Sequence, residues 1–393
     1  MISQPDAKDS ILVSVVIPCL NEIETIGAVV KTALAALDRQ GLSGEVIVAD
    51  NGSNDGSQAA ARALGARVVD IPVKGYGSAL NGGIAASRGE YVIFADADCS
   101  YDFGQMGKFL AKLKAGSEFV VGTRFPRAGG VIDPGAMPWL HRWIGTPVIS
   151  LIGHVLFGSR LSDFNCGMRA MTRACFERLD LRTSGMEFAS EMIIKASLFG
   201  LRVSEVPIHF HKDARSRPPH LRTFRDGWRH LRFMLICSPR WLFIYPGLVL
   251  VALGLAGALA LLHGPVRFGH VGFDTNTLLV CAMMLLLGHQ LVSLGTVAKF
   301  YAVQIGMHPR SRSSDNLQNL FQLESWAGVG LLLALAGAGL LAFGIFVWNQ
   351  VGFGQLSYPG SLRIVIPAVT LIMLGMQIIF TSFLISMVSR AHA

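Results

Sequence analysis

Three short polar segments carry side chains that could bind a metal ion and a phosphate group. They are Pro18-Cys-Leu-Asn21-Glu22, the turn-rich run that starts at Asp50, and Asp96-Ala97-Asp98. Two carboxylates one residue apart are hard oxygen ligands for Mg²⁺ or Mn²⁺, and an ion held by them can bridge a diphosphate. A pair of aspartates in this spacing is a weak signal by itself, and Asp50 alone would equally well close a turn through its side chain.

The elements that must position these segments form an alternating pattern. Apolar, β-branched runs over 11–17, 45–49, 67–71 and 91–95 predict strands, and helical patterns fill the intervals between them. Apolar strands that alternate with helices predict an α/β domain with a mostly parallel sheet. Ligands of such sheets bind beyond the carboxyl ends of the strands, so the three polar segments are predicted to share one site.

The second half of the chain has the composition of a membrane domain. Hydrophobic residues make up 51% of the 393 residues and charged residues 15%. Four apolar stretches, near 243–263, 277–298, 326–348 and 364–388, are each long enough to cross a bilayer, which takes about 20 helical residues. The third is apolar on every side, which argues against a buried helix of a soluble domain. Small residues spaced four apart, as at Gly330, Ala334 and Ala338, would permit a homo-oligomer.

Most of the net charge of +8 lies just before the first predicted span. Residues 209–240 hold 8 Lys/Arg and 2 Asp/Glu, a net charge of +6. Further basic residues follow the second and fourth spans, so the positive-inside rule places residues 1–240 and the C-terminus in the cytoplasm. Scattered cysteines without a CxxC pair, and an N-terminus without a signal-peptide pattern, agree with a cytosol-facing protein.

The sequence therefore divides into four regions. These are a disordered N-terminus over 1–10, an α/β domain over 11–208, a basic loop and interfacial helix over 209–240, and a membrane domain over 241–393. Apolar residues from Leu221 to Leu235 recur at helical spacing beside a stripe of arginines, which favours a helix on the membrane surface over one that binds nucleic acid. A second apolar helical pattern, from Trp139 to Leu156, fits membrane contact and core packing equally well.

Several further residues are candidates for phosphate binding or catalysis. Arg124 and Arg169 suit bidentate recognition of phosphate, with a surface salt bridge as the alternative for each. Ser184 and Glu187 have the spacing of a helix capping box, and Glu191 lies one turn later on the same face. His209 and His211 alternate as on an extended chain, which allows a metal pair but favours an interfacial loop that binds phosphate.

In this order, the motifs resemble family-2 glycosyltransferases of the GT-A fold, specifically the polyprenyl-phosphate glycosyltransferases that include dolichol-phosphate mannose and glucose synthases. The resemblance spans residues 11 to about 236. It implies that the nucleotide is bound by Pro18, Asn21, Glu22, Asp50, Lys74, Gly75, Asp96, Ala97 and Asp98. Asp96 and Asp98 would also hold Mg²⁺ or Mn²⁺. The sequence departs from the family at Asn51, where many relatives have a second acidic residue, and at Leu20, where an aromatic residue is frequent.

The resemblance also implies a reaction. A sugar would pass with inversion from a nucleotide diphosphate sugar to a polyprenyl phosphate, dolichyl or undecaprenyl, at the cytoplasmic face of the bilayer. The implied catalytic residues are Asp98, Arg124, Asp163, Arg169 and Glu191. The predicted ligands of the lipid phosphate are Arg124, which belongs to a motif of the family, and Arg215 and Arg217, which lie in the basic stretch before the first predicted span.

Two other functions remain open from the sequence. A processive polysaccharide synthase would carry Gln-x-x-Arg-Trp on an interfacial helix, and here Arg240-Trp241 is preceded by Cys237 at the glutamine position. A catalytically silent membrane scaffold is the other alternative, although both acids of the Asp-x-Asp pair are intact. Turnover of nucleotide sugars separates an enzyme from a scaffold.

Overall fold

The computed structural model describes residues 11–216, 223–310 and 323–390. They form two compact units, which divide between Met234 and Leu235. The predicted disordered N-terminus over 1–10, Arg217 and Leu221 lie outside the described residues.

The first unit contains a seven-stranded sheet and a small two-stranded one. Its strands are β1 (Val13–Cys19), β2 (Gly44–Asp50), β3 (Arg67–Asp70), β4 (Tyr91–Phe94), β5 (Phe119–Thr123), β6 (Val131–Ile132), β7 (Arg169–Thr172), β8 (Val203–Pro207) and β9 (His209–Phe210). The large sheet has the order β3-β2-β1-β4-β7-β5-β8. Only β7 runs antiparallel to its neighbours in it. The predicted α/β fold with a mostly parallel sheet is confirmed.

Among the described residues, seven α-helices connect these strands, and an eighth follows the last strand and extends across the division between the units. They are α1 (Ile26–Arg39), α2 (Ser57–Ala63), α3 (Tyr76–Ala85), α4 (Met106–Lys114), α5 (Thr146–Phe157), α6 (Arg173–Leu179), α7 (Phe188–Leu198) and α8 (Thr223–Ile236). Every residue of β1 is buried, which explains why its sequence is apolar without alternation. The strand runs two residues further than predicted, through Pro18. It can do so because β4 pairs with β1 only as far as Val16, so Pro18 has a strand neighbour on one side only.

Strand register brings the polar segments together. Cys19, at the end of β1, is opposite Asp50, at the end of β2. On the other side of β1, Val16 is opposite Phe94, two residues before Asp96. The carboxyl ends of three parallel strands therefore meet at one edge of the sheet, as the alternation of strands and helices predicted.

The apolar segment that begins at Trp139 is exposed. A π-helical turn at His141–Gly145 leads into α5, and Pro147 sits in the first turn of α5, where proline is tolerated. Trp139, Trp143 and Leu151 are 67%, 62% and 61% exposed. The core-packing interpretation of this segment is therefore wrong, because these side chains do not face the interior.

The second unit contains helices of membrane-spanning length. They are α9 (Tyr245–Leu262), α10 (Thr275–Gln304), α11 (Leu323–Gln350) and α12 (Tyr358–Arg390). Four segments of this unit are long and apolar enough to cross a membrane: Arg240–Leu262, Thr275–Gln304, Leu323–Gln350 and Tyr358–Val388. The four predicted spans are confirmed, and a short hairpin, β10 (Val266–Phe268) and β11 (Val271–Phe273), joins the first two.

The small residues of α11 pack within the chain. A Cβ atom on Gly330 would lie 2.6 Å from the carbonyl oxygen of Gly375 in α12, and one on Gly375 would lie 2.7 Å from the backbone nitrogen of Ala334. Such close approach between helices needs residues without bulky side chains. Gly330 and Ala334 are thus used in contacts between α11 and α12, and they give no support to a homo-oligomer.

Candidate active site

The Asp96-Ala97-Asp98 segment follows β4 and forms a partly buried pair of carboxylates. Tyr76 donates its hydroxyl to Oδ1 of Asp96 over 2.9 Å. Burial, together with the neighbouring carboxylate of Asp98, raises the pKa of Asp96 to about 6. Oδ1 of Asp98 accepts hydrogen bonds from the backbone and hydroxyl of Ser100. These contacts fix both side chains while Oδ2 of Asp98 stays directed towards Arg215.

Arg215 joins the first and third polar segments. Its Nη2 lies 2.7 Å from Oδ2 of Asp98, and its Nε lies 3.3 Å from Oε2 of Glu22. The side chain is only 10% exposed. The backbone follows the same path, because the nitrogen of Ala214 donates to the carbonyl of Asp98 over 3.1 Å. Arg215, which is predicted to bind the lipid phosphate, thus contacts Asp98, which is predicted to bind the metal ion.

Asp50 closes a turn and also keeps one oxygen available. Its Oδ2 accepts from the backbone nitrogens of Gly52 and Ser53 at 2.9 and 3.0 Å and from the Gln58 side chain at 2.7 Å. Burial acts to raise the pKa of Asp50, but these hydrogen bonds outweigh it and lower the pKa below its usual value. Its Oδ1 is buried, and no donor in the described part of the chain reaches it. A buried carboxylate oxygen without a donor is costly unless a ligand supplies one.

Asn51 has a structural role that the sequence did not indicate. Its Nδ2 donates to the carbonyl oxygens of Ile71 and Val73 at 3.0 and 2.8 Å, and its Oδ1 accepts from the nitrogen of Gly75 over 2.7 Å. Lys74 in turn donates to the carbonyl of Asn51 over 2.6 Å. The amide clamps the segment of Lys74 and Gly75 beside β2, which an acidic side chain without N–H donors could not do.

The run after Asp50 also supports the first polar segment. Asn21 adopts a left-handed backbone conformation with φ of 57°, and its Oδ1 accepts from the nitrogen of Asn54 over 2.9 Å. The backbone nitrogens of Asn21 and Glu22 donate to the hydroxyls of Ser53 and Ser57, each over 2.8 Å. The serines were visible in the sequence only as turn residues, and their partners lie more than 30 positions away.

Arg124 and Asp163 form a buried bidentate pair. Nε and Nη2 of Arg124 lie 2.7 and 2.9 Å from the two carboxylate oxygens of Asp163. The side chain of Asp163 is fully buried, so the surface salt bridge considered for Arg124 is wrong. The pair ties the end of β5 to the loop before β7.

Arg169 is also held by the protein. It donates to the carbonyl oxygens of Cys166, Ala189 and Phe164 at 2.8, 2.6 and 3.2 Å. Burial lowers its pKa, and the surface salt bridge considered for it is likewise wrong. Arg124 and Arg169 therefore shape the loop between them, and direct contact of either with phosphate stays a prediction.

Glu191 and Glu187 lie near the start of α7, and their contacts are not those that the sequence predicted. Glu191 accepts from the nitrogens of Arg182 and Thr183 at 3.1 and 2.9 Å and pairs with Lys195 at 3.0 Å, so it holds the turn before α7. The predicted capping box is wrong, because α7 begins at Phe188 and Glu187 is itself the N-cap, without a capping side-chain bond. Ser184 cannot cap the helix from there; its carbonyl instead accepts from the nitrogen of Ser78 in α3.

Two family models match this chain. The model of glycosyl transferase family 2 matches residues 14–179, and that of the glycosyltransferase family 2 C-terminal transmembrane region matches residues 296–389. The low-salt glycan biosynthesis hexosyltransferase Agl6 of Haloferax volcanii is 37% identical over 380 residues, which cover 95% of this chain and 88% of that one. A dolichyl-phosphate hexose transferase of the same organism is 29% identical over 51% of this chain and 83% of its own length.

Among solved structures, glucosyl-3-phosphoglycerate synthase from Mycobacterium tuberculosis superposes with a TM-score of 0.45 at 22% identity, over 58% of this chain and 80% of that one. The relationship to Agl6 is far stronger, because it covers nearly all of both chains. The chain accordingly belongs to glycosyltransferase family 2, as a membrane glycosyltransferase with four candidate spans.

Proposed function

We propose that the protein transfers a sugar, with inversion, from a nucleotide diphosphate sugar to a polyprenyl phosphate at the cytoplasmic face of the membrane. The main support is the meeting of Glu22, Asp98 and Arg215 at the carboxyl edge of the sheet, in a chain that also has four candidate spans. A lipid acceptor explains why the enzyme would need membrane spans, since the prenyl tail of such an acceptor stays in the bilayer. The similarity to a dolichyl-phosphate hexose transferase supports the same acceptor class.

Binding of the nucleotide is supported by the second polar segment. The buried Oδ1 of Asp50 lacks a donor among the described residues, and a nucleobase N–H or a ribose hydroxyl would supply one. Asn51 clamps Lys74 and Gly75 beside it, which supports a role for these two residues in lining the phosphates.

The carboxylates fit a divalent cation. Asp96 and Asp98 offer hard oxygen ligands, and a positive group, the guanidinium of Arg215, already lies against Asp98. Asp98, assisted by Asp96, would hold Mg²⁺ or Mn²⁺, which when bound neutralises charge on the leaving diphosphate.

The reaction joins a phosphate oxygen of the acceptor to the anomeric carbon while the bond from that carbon to the donor diphosphate breaks. The acceptor is already an anion, so it needs no strong general base, and catalysis depends on positioning and charge. Arg215 pairs with Asp98 and Glu22, and a cation held by Asp98 would compete with that contact. A guanidinium displaced from Asp98 would be available to orient the incoming phosphate.

The test is an assay of the full-length protein in detergent or membranes with a panel of nucleotide sugars and with undecaprenyl or dolichyl phosphate. Mass analysis should find a polyprenyl-phosphate sugar for at least one donor. Growth of a polysaccharide without a lipid-linked product would favour the processive synthase instead.

A further inference from the structure

Three side chains that the proposed reaction does not use converge beside the short β6–β9 sheet. Val131 and Ile132 of β6 pair in parallel with His209 and Phe210 of β9. Asp133 directly follows β6, and its backbone nitrogen donates to the carbonyl of Phe210 over 3.0 Å. Successive side chains of an extended strand point to opposite sides, so His209 and His211 share the side that faces Asp133.

The carboxylate of Asp133 contacts both imidazoles. Oδ1 lies 2.6 Å from Nε2 of His209, and Oδ2 lies 2.9 Å from Nδ1 of His211. The ring centroids are 4.1 Å apart, and one ligand atom from each of the three residues lies within 4.8 Å of the other two. A single ion placed among these atoms would require only small side-chain movements.

The backbone around the cluster is already fixed. The nitrogen of Val131 donates to the carbonyl of Ile208 over 2.9 Å, and the nitrogen of His211 donates to the carbonyl of Ser100 over 2.9 Å. The side chains of His209, His211 and Asp133 are 42%, 37% and 35% exposed, so solvent ions can reach them. Three protein ligands on a fixed frame with an accessible side is the arrangement of a metal site that keeps open coordination positions.

We propose that Asp133, His209 and His211 form a second metal site, separate from Asp96 and Asp98, that takes a first-row transition-metal dication such as Zn²⁺. Two imidazole nitrogens and one carboxylate oxygen suit this class of ion, whereas Mg²⁺ prefers oxygen ligands alone. The proposed site is an alternative to the predicted phosphate-binding loop at the two histidines, because a carboxylate that contacts both rings disfavours phosphate there.

Occupation of the site would brace the segment that leads to Arg215. His211 and Ala214 are both bonded to the Asp98–Ser100 turn through their backbones, so an ion on His211 would tie that turn to β6 as well. The inference goes beyond sugar transfer and does not depend on it.

Zinc binding to the full-length protein, purified without a histidine tag, tests the proposal. Wild type and Asp98→Asn should each bind one Zn²⁺ at this site with similar affinity. Asp133→Asn, His209→Gln and His211→Gln should each weaken that binding at least about tenfold, the lower end of what even an outer-shell change costs a metal site. His154→Gln, at an exposed histidine outside the cluster, is the matched control and should bind as wild type does.

A spectroscopic readout makes the test independent of how the variants fold. Zinc X-ray absorption of the wild-type protein should show imidazole nitrogen and oxygen neighbours. A spectrum without imidazole scattering would overturn the proposal. So would zinc affinity that is lost in Asp98→Asn but kept in His209→Gln.

Discussion

The guanidinium of Arg215 lies 2.7 Å from the Oδ2 atom of Asp98, the residue that is predicted to hold the metal ion. Nε of the same side chain lies 3.3 Å from Glu22 and 3.4 Å from Asp213, so the guanidinium offsets three carboxylates in a largely buried position. Without a cation, the carboxylates at this edge of the sheet would repel each other. Arg215 therefore stabilises these carboxylates, and a bound dication would take over part of that role.

Replacement of Asp98 by asparagine should lower the rate of sugar transfer at least about a hundredfold, the scale of a lost group that stabilises transition-state charge. Chelation with EDTA should stop the wild-type reaction. Asp102→Asn is the matched control, because Asp102 is a nearby carboxylate that caps a turn by accepting from the nitrogen of Gly104. Full activity of the wild type in excess EDTA would rule out the metal role of Asp98.

Removal of the Arg215 side chain should have opposite effects on two ligands. Arg215→Ala should tighten Mn²⁺ binding about tenfold, because the contact of Arg215 with Asp98 then no longer competes with the ion. A hydrogen bond to a charged group is worth about 1.5 kcal/mol, which corresponds to that factor. It should also raise the KM for the polyprenyl phosphate. Arg202→Ala, which removes an exposed arginine paired with Glu118, should change neither quantity. Unchanged Mn²⁺ affinity in Arg215→Ala would show that the arginine does not compete for Asp98.

The buried Arg124–Asp163 pair should contribute mainly to folding. Asp163→Asn leaves the charge of Arg124 without its carboxylate, so the free energy of unfolding should fall by about 3–5 kcal/mol. Thermal unfolding in detergent measures the loss. Glu118→Gln, which breaks two looser ion pairs near the surface, should cost less than about 1 kcal/mol. A stable Asp163→Asn protein that fails to bind the acceptor would instead assign the pair to phosphate binding.

The proposed orientation predicts which loops face the cell exterior. Single cysteines at Gly269 and Gln355 should react with a membrane-impermeant maleimide on intact cells, and one at Arg310 should react only after the cells are opened. All three positions are exposed in the second unit, so reactivity depends on the side of the membrane. The reverse pattern would separate the catalytic unit from cytosolic nucleotide sugars.

The sequence was sufficient to predict the first four strands, the shared sheet edge and the four candidate spans, because each depends on a local pattern of apolar residues. It was insufficient where a side chain has a distant partner. In the sequence, Asn51 was visible only as a departure from the family pattern, but its side chain clamps a loop about 20 positions away. Arg124 pairs with Asp163, which lies 39 positions later in the chain. The sequence around either residue does not indicate that the pair is buried.

The predicted start of α7 was wrong for a related reason. The Ser184-x-x-Glu187 spacing is that of a capping box, yet the carbonyl of Ser184 is bonded to α3, and the helix starts after Glu187. Local propensity for a cap was outweighed by a tertiary contact, which a single sequence does not reveal.

The most direct test of the proposed reaction is the stoichiometry of its products. The purified protein, given its nucleotide sugar donor and a polyprenyl phosphate, should release one nucleoside diphosphate for each polyprenyl-phosphate sugar formed. Asp98→Asn should form both products at least about a hundredfold more slowly. Release of a nucleoside monophosphate, with a lipid diphosphate as the product, would contradict the account, because the sugar phosphate rather than the sugar would then have been transferred.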